Sequence, residues 1–292
     1  MVQELIMDNK KYLLGMYEKS MPNDLSIKEK LETVKLAGFD WLELSVDETD
    51  EKLKRLDWSN EEIESINKAI NETGVKIRTM CLSGHRKYPL GSLDKETEKR
   101  SLEIMRKAVE LADKLNITII QLAGYDVYYE DGSEETKAKF IENLKKATIM
   151  ASEKGVLLGF ETMETPFMDT VKKAMYYVDI VNSPYLNIYP DIGNLTNASL
   201  LYNESTIDDI NKGKGHIVAA HLKETIPNHY REIIFGTGHT DFIKNISCLK
   251  DMGVRLFTGE FWYVGQENWL EVCKEASSFL REKLDYVFNE SN

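Results

Sequence analysis

Four side chains able to hold a divalent cation or move a proton recur at near-regular intervals in the second half of the sequence. Glu161 ends the apolar run Gly155-Val-Leu-Leu-Gly-Phe-Glu161. Asp191 ends Leu186-Asn-Ile-Tyr-Pro-Asp191, His221 ends Ile217-Val-Ala-Ala-His221, and Glu260 ends Val254-Arg-Leu-Phe-Thr-Gly-Glu260. Short apolar runs of this kind read as strands buried on both faces. Successive spacings of 30, 30 and 39 residues are each about one strand-helix-strand repeat. The four side chains are therefore expected at one end of consecutive parallel strands. Two Glu, one Asp and a neutral His converging there form an oxygen-rich site for a hard or borderline cation. Without a cation the three carboxylates would raise one another's pKa. Any one of them alone would read as an ordinary solvated strand-end residue; four in succession read as a site.

The elements that must position them follow along the chain. The first strand is expected within Lys11–Lys19 and a helix over Ser26–Ala37, closed at Gly38. A second strand, Phe39–Ser45, carries Glu43 near its end. Ser59 caps a helix that Gly74 closes, and Val75–Leu82 is a third strand. A polar loop over Ser83–Ser92 precedes a long helix, Asp94–Leu115, and a fourth strand, Ile117–Ala123. Ser133–Lys154 is helical. Beyond Glu161, Asp169 is expected to cap a helix to Val181. Later helices are expected over Ser205–Lys212, Asp241–Met252 and Gln266–Asn289. Eight strand-helix units without a linker predict a closed α/β barrel, the (β/α)8 TIM barrel, as a single domain over 1–292. A doubly wound open sheet is the alternative. The first strand-helix loop lacks Gly-x-Gly-x-x-Gly, which argues against its dinucleotide-binding form.

Composition narrows the function classes. The chain has 292 residues, 42% hydrophobic, with a net charge of −12. That charge disfavours nucleic acid or an anionic membrane as partner, while leaving room for a small anion at a locally basic site. No apolar run approaches the ~20 residues of a membrane span. Three cysteines without metal-motif spacing, and no signal-peptide pattern, predict reduced thiols and a cytoplasmic location. Within the Ser83–Ser92 loop, Ser83, His85, Arg86 and the backbone at two glycines are suitable phosphate ligands. The bland alternative is a surface loop with a chance basic triplet.

Several stretches carry a resemblance. Phe160-Glu-Thr-Met-Glu164, Pro190-Asp-Ile-Gly-Asn194, His221-Leu-Lys-Glu-Thr225 and Gly259-Glu-Phe-Trp262 resemble the xylose isomerase-like barrels. With Leu14-Gly-Met-Tyr-Glu-Lys19, the Ser83–Ser92 loop and Phe235-Gly-Thr-Gly-His-Thr-Asp-Phe242, the sequence is most similar to the L-ribulose-5-phosphate 3-epimerases, also named L-xylulose-5-phosphate 3-epimerases. The resemblance covers nearly the whole chain. It implies one divalent metal ion (Mn, Zn or Mg) on Glu161, Asp191, His221 and Glu260, with the two glutamates as acid/base pair. It also implies a ketose 5-phosphate substrate, contacted by Ser83, His85, Arg86, Glu164, Asn194 and Lys223. Glu164 and Glu224 stand where this family more readily has aspartate. A homodimer is expected from the resemblance alone.

Three rival functions remain open at this stage. An aldose-ketose isomerase of the hydride-shift kind needs ligands for two metals, and only four strong candidates occur. A zinc-dependent AP endonuclease needs more histidines than five and a surface able to bind DNA. A non-catalytic sugar-phosphate sensor would not need the pair Glu161 and Glu260.

Overall fold

The computed structural model describes residues 10–289. Its eight strands are β1 (Leu13–Tyr17), β2 (Trp41–Val46), β3 (Lys76–Leu82), β4 (Ile119–Ala123), β5 (Leu157–Glu161), β6 (Leu186–Ile188), β7 (Ala220–Leu222) and β8 (Leu256–Gly259). All paired strands are parallel, in the order β6-β5-β4-β3-β2-β1-β8-β7. Parallel bridges Ile188–Ile217 and Asp191–His221 bring β6 against β7 and close the ring. The expected TIM barrel is the fold.

The helices form the outer layer: α1 (Ile27–Leu36), α2 (Asp50–Leu53), α3 (Asn60–Thr73), α4 (Lys95–Leu115), α5 (Glu134–Glu153), α6 (Val171–Val181), α7 (Ile192–Tyr202), α8 (Thr206–Lys212), α9 (Phe242–Asp251) and α10 (Trp269–Asn289). Ser26 and Ser59 close capping boxes with Glu29 and Glu62, satisfying donors that a helix start leaves free. Gly74 ends α3 at φ 73°, a left-handed conformation natural to glycine.

Four features differ from expectation. Thr170, not Asp169, caps α6 by accepting from Lys173 N. The Asp169 carboxylate is occupied elsewhere, by Tyr202 OH at 2.6 Å and Lys173 Nζ at 2.6 Å. The last helix starts at Trp269 instead of Gln266. The other two are additional helices: the short α2 after β2, and α7, which begins directly after Asp191.

Strand alternation divides the barrel into layers. Tyr17, Cys81, Ala123, Glu161 and Glu260 open onto a cleft at the C-terminal ends of their strands. Two residues earlier, Gly15, Thr79, Gln121, Gly159 and Thr258 face the lumen beneath. Small residues there make room for large ones. A Cβ at Gly15 would collide with the Trp41 ring, and one at Gly159 would lie 3.1 Å from Tyr189 Cβ.

A buried charge cluster fixes the rim beside β1 and β2. Glu18 follows β1 and is 1% exposed. Its carboxylate accepts from Lys30 Nζ at 2.7 Å, Lys52 Nζ at 2.8 Å, both Arg55 terminal nitrogens at 2.5 and 2.7 Å, and Ser45 N at 2.8 Å. Burial opposes ionisation of Glu18, but Arg55, Lys30 and Lys52 outweigh it and hold the carboxyl far below the usual range. The turn so pinned carries Leu53, whose Cδ2 would lie 2.9 Å from a Cβ at Gly84. It therefore supports the loop containing Ser83 and Arg86. Replacing Glu18 by Ala leaves three cations with uncompensated buried charge. A loss of about 3–5 kcal/mol is expected, read as a lower denaturant midpoint with little change in slope.

Candidate active site

Each of the four sequence-predicted ligands arrives by a different local device. Glu161 is the last residue of β5, and His221 lies within β7. Glu260 is one residue beyond β8, its N–H bonded to Leu222 O at 3.0 Å. Asp191 is not the last residue of a ladder. Pro190 has no N–H to donate, and Asp191 instead caps α7, with Oδ1 accepting from Asn194 N at 2.8 Å. Capping fixes the carboxylate and leaves Oδ2 facing the other three residues.

The side chains converge. His221 Nδ1 lies 3.1 Å from Glu260 Oε2, 3.5 Å from Glu161 Oε1 and 3.8 Å from Asp191 Oδ2. On the opposite ring edge, His221 Nε2 lies 2.7 Å from Glu43 Oε1. One ligand atom from each of Glu161, Asp191, His221 and Glu260 lies within 4.8 Å of all the others. Ligands held at roughly 2.1 Å by a cation lie about 3–4 Å from one another, so this donor set fits a divalent ion. Asp191 Oδ2 is buried and has no aligned hydrogen-bond donor, although Lys223 Nζ stands 3.0 Å away. A cation at the centre would satisfy it.

The electrostatics are those of crowded buried charge. Burial raises the Asp191 carboxyl well above its ordinary range, with Lys223 opposing. Burial and then Glu260 raise Glu161. Burial would raise Glu260 too, but Lys223 and His221 outweigh it and hold it well below the carboxylate range. Burial disfavours the His221 imidazolium, yet Glu43 and Glu260 reverse this and raise it strongly. Lys223 is also buried, 3.3 Å from Glu260 Oε2, and the surrounding acids keep its ammonium charged against the cost of burial.

The remaining expected contacts separate. Ser83, Arg86, Glu164 and Lys223 line the cleft with Glu161 and Glu260, and so does Trp262. Arg86 packs over the Tyr128 ring at 4.8 Å, and its Nε is buried without a partner. His85 is placed differently from the expectation. It is 5% exposed, its Nε2 lies 3.2 Å from Ser101 O on α4, and burial pushes its pKa down to about 4. Asn194 lies behind the site, its Nδ2 donating to Thr162 O at 2.8 Å. Four cleft or supporting residues escaped the sequence reading: Glu43, Lys19, Tyr17 and Arg231. Arg231 is paired with Glu164 Oε1 at 2.6 Å across two loops. Glu43 carried a signal as an acid within an apolar strand, and Tyr17 and Lys19 lie in the Leu14–Lys19 stretch that carries the family resemblance.

Comparison with known proteins bears on this geometry. A family model described as the xylose isomerase-like TIM barrel matches residues 31–283. The chain belongs to that family. It is 41% identical to the L-ribulose-5-phosphate 3-epimerase UlaE of Escherichia coli over 96% of this chain and 95% of the relative. The same figures hold for the UlaE of Escherichia fergusonii. The resemblance to the L-ribulose-5-phosphate 3-epimerases is thus borne out, and the protein is an enzyme of the isomerase class. Solved structures share the fold at lower identity. An L-ribulose 3-epimerase matches at TM-score 0.77 and 17% identity, covering 96% of this chain and 97% of that one. A D-psicose 3-epimerase from Clostridium cellulolyticum, solved with D-tagatose, matches at 0.77 and 17%, covering 93% and 99%. Among the described residues no helix is long and apolar enough to cross a membrane.

The placement of His85 has a measurable consequence. Its folded pKa of about 4 lies below the unfolded value of 6.5, so the unfolded chain binds the extra proton between them. Stability is full above pH 6.5 and falls by roughly 3 kcal/mol as pH drops to about 4. Denaturant titrations of wild type and His85→Gln over this range should diverge by that amount, the wild type losing more. Parallel curves would mean that His85 is protonated in the folded protein.

Proposed function

We propose that this protein is a metal-dependent 3-epimerase that interconverts L-ribulose 5-phosphate and L-xylulose 5-phosphate. The observation that carries the reading is the pair Glu161 and Glu260. They end β5 and follow β8, both line one cleft, and both reach the same imidazole nitrogen. The identity to relatives named L-ribulose-5-phosphate 3-epimerase supports the choice of substrate. The catalytic unit is the single barrel domain expected from the sequence. Its three free cysteines suit the reducing cytoplasm.

A divalent ion (Mn, Zn or Mg) on Glu161, Asp191, His221 and Glu260 would supply Lewis acidity to the ketose carbonyl and its neighbouring hydroxyl. The protein's own groups do the rest. Inverting C3 requires a base on one face of the carbon and an acid on the other. One glutamate removes the C3 proton, and the second, protonated, returns one from the opposite face. The opposite shifts of Glu161 and Glu260 suit these complementary roles: one carboxyl is raised and the other lowered. Lys223 adds positive charge beside the oxygens that become anionic. That Ser83, Arg86 and Lys19 line the same cleft supports phosphate contact there, through the hydroxyl and the cationic side chains.

Two measurements test the proposal. Glu161→Gln and Glu260→Gln should each abolish epimerisation while exchanging the C3 hydrogen of only one epimer with solvent. The two variants should choose opposite epimers. NMR in D₂O with metal content measured alongside reads this directly. Wild-type turnover by either variant would remove that glutamate as an essential base, and exchange at C1 would identify an aldose-ketose isomerase.

For the phosphate, Arg86→Ala should raise KM for the ketose 5-phosphate roughly tenfold to a hundredfold, the loss of one charge-assisted hydrogen bond of about 1.5–3 kcal/mol. Steady-state kinetics with the unphosphorylated ketose should change little. Equal losses on both substrates would place Arg86 against the sugar and not its phosphate.

A further inference from the structure

Glu43 lies mid-way along β2, faces the barrel lumen and is fully buried. Both its oxygens are engaged. Oε1 meets His221 Nε2 at 2.7 Å. Oε2 accepts from Thr79 Oγ1 at 2.5 Å and Tyr189 OH at 2.9 Å. Tyr189 OH is itself 2.6 Å from Thr258 Oγ1, which must then donate to it. The tyrosine ring also packs against the His221 ring, with centroids 4.9 Å apart. Four residues at four positions around the barrel thus form one network beneath the His221 imidazole, two of them touching it directly. None of the four is among the residues to which a role was assigned above.

We propose that Glu43 is the positioning residue of the metal centre, fixing His221 with Nε2 protonated and Nδ1 directed at Glu161, Asp191 and Glu260. An ionised carboxylate can only accept, so the nitrogen facing it must carry the hydrogen. The Nδ1 lone pair of the neutral ring is then left for a cation. The carboxylate also makes the imidazole a more basic ligand, as outer partners of ligating histidines generally do. Thr79, Tyr189 and Thr258 keep Glu43 from rotating. An amide at position 43 would break this selection. Its N–H₂ can donate to Nε2 and so favour the tautomer with hydrogen on Nδ1, which cannot ligate.

This role rests on the metal reading of the site, and the test separates the two. Chelated wild type, Glu43→Gln and Tyr189→Phe are titrated with zinc by calorimetry, without substrate. Wild type should bind one zinc, Glu43→Gln about 10–100-fold more weakly, and Tyr189→Phe several-fold more weakly through a loosened Glu43. Nitrogen-15 NMR at a zinc concentration that saturates wild type should show hydrogen on Nε2 and a zinc-bound Nδ1 for His221 in wild type, and an unligated Nδ1 in the part of Glu43→Gln that stays free of zinc. Melting curves of the metal-free proteins identify a variant that has lost its fold, in which case Tyr189→Phe decides. Zinc affinity and His221 signals equal to wild type in the folded variants would overturn the role of Glu43 alone. A wild type that takes up no zinc would overturn the metal reading and this role with it.

Discussion

Mutual repulsion among buried carboxylates is the constraint on which this structure turns. Glu161, Asp191 and Glu260 are each 7% exposed or less, and their oxygens crowd a single histidine nitrogen. Such an arrangement is unfavourable unless positive charge is supplied and the backbone cannot relax. The protein supplies Lys223, the His221 ring and the start of α7, whose partial positive end lies at Asp191. Rigidity comes from the closed barrel. Each acid is anchored on a different element, Glu161 at the end of β5, Asp191 at the start of α7 and Glu260 just beyond β8, so their backbones cannot move apart together. A divalent cation at the centre would relieve the repulsion, as would protonation of Asp191 or Glu161, whose carboxyls are raised.

The layer below the site shows how that rigidity is built. In many barrels the lumen is filled by branched apolar residues. Here Glu43, Thr79, Tyr189 and Thr258 place a hydrogen-bonded polar layer directly under the charged one. Deeper still, Trp41 fills the space that Gly15 leaves open. Polar groups under the ligands are directional, whereas apolar packing is not. They set the ring plane of His221 and not merely its position.

The barrel and the convergence of Glu161, Asp191, His221 and Glu260 were legible because both depend on repetition. A strand-helix unit has a characteristic length, and a cluster at one end of the strands inherits it. What escaped detection lacks that periodicity. Glu43 is an isolated acid whose direction depends on strand alternation and whose partners are far away in sequence, His221 being 178 residues on. The helix α7 is Ile-Gly-Asn-Leu-Thr-Asn-Ala-Ser-Leu-Leu-Tyr, rich in poor helix formers, and only three residues separate it from β6. Gly193 earns its place by contact: a Cβ there would stand 2.8 Å from Lys223 O. His85 was misplaced for a reason of geometry. Gly84–Arg86 is a tight three-residue turn, and such turns bring residues three apart onto one side. Ser83 and Arg86 therefore share the cleft, while the histidine between them faces α4.

The cleft also reconciles an acidic protein with an anionic substrate. Its cations come mostly with partners: Lys19 lies 2.6 Å from Asp47, Arg86 is 3.7 Å from Glu48, and Arg231 is 2.6 Å from Glu164. Pairing keeps several positive charges in one wall without mutual repulsion before a ligand arrives. A phosphate dianion can then share these donors, since a guanidinium has five N–H groups and a carboxylate engages at most two in one approach. Arg86 is the least satisfied of the set, with a distant partner and a buried Nε that bonds to nothing. Desolvating that nitrogen has already cost free energy in the folded state. Because that nitrogen is sealed from solvent, an anion in the cleft would meet the guanidinium through its terminal nitrogens, beside Ser83 and Lys19.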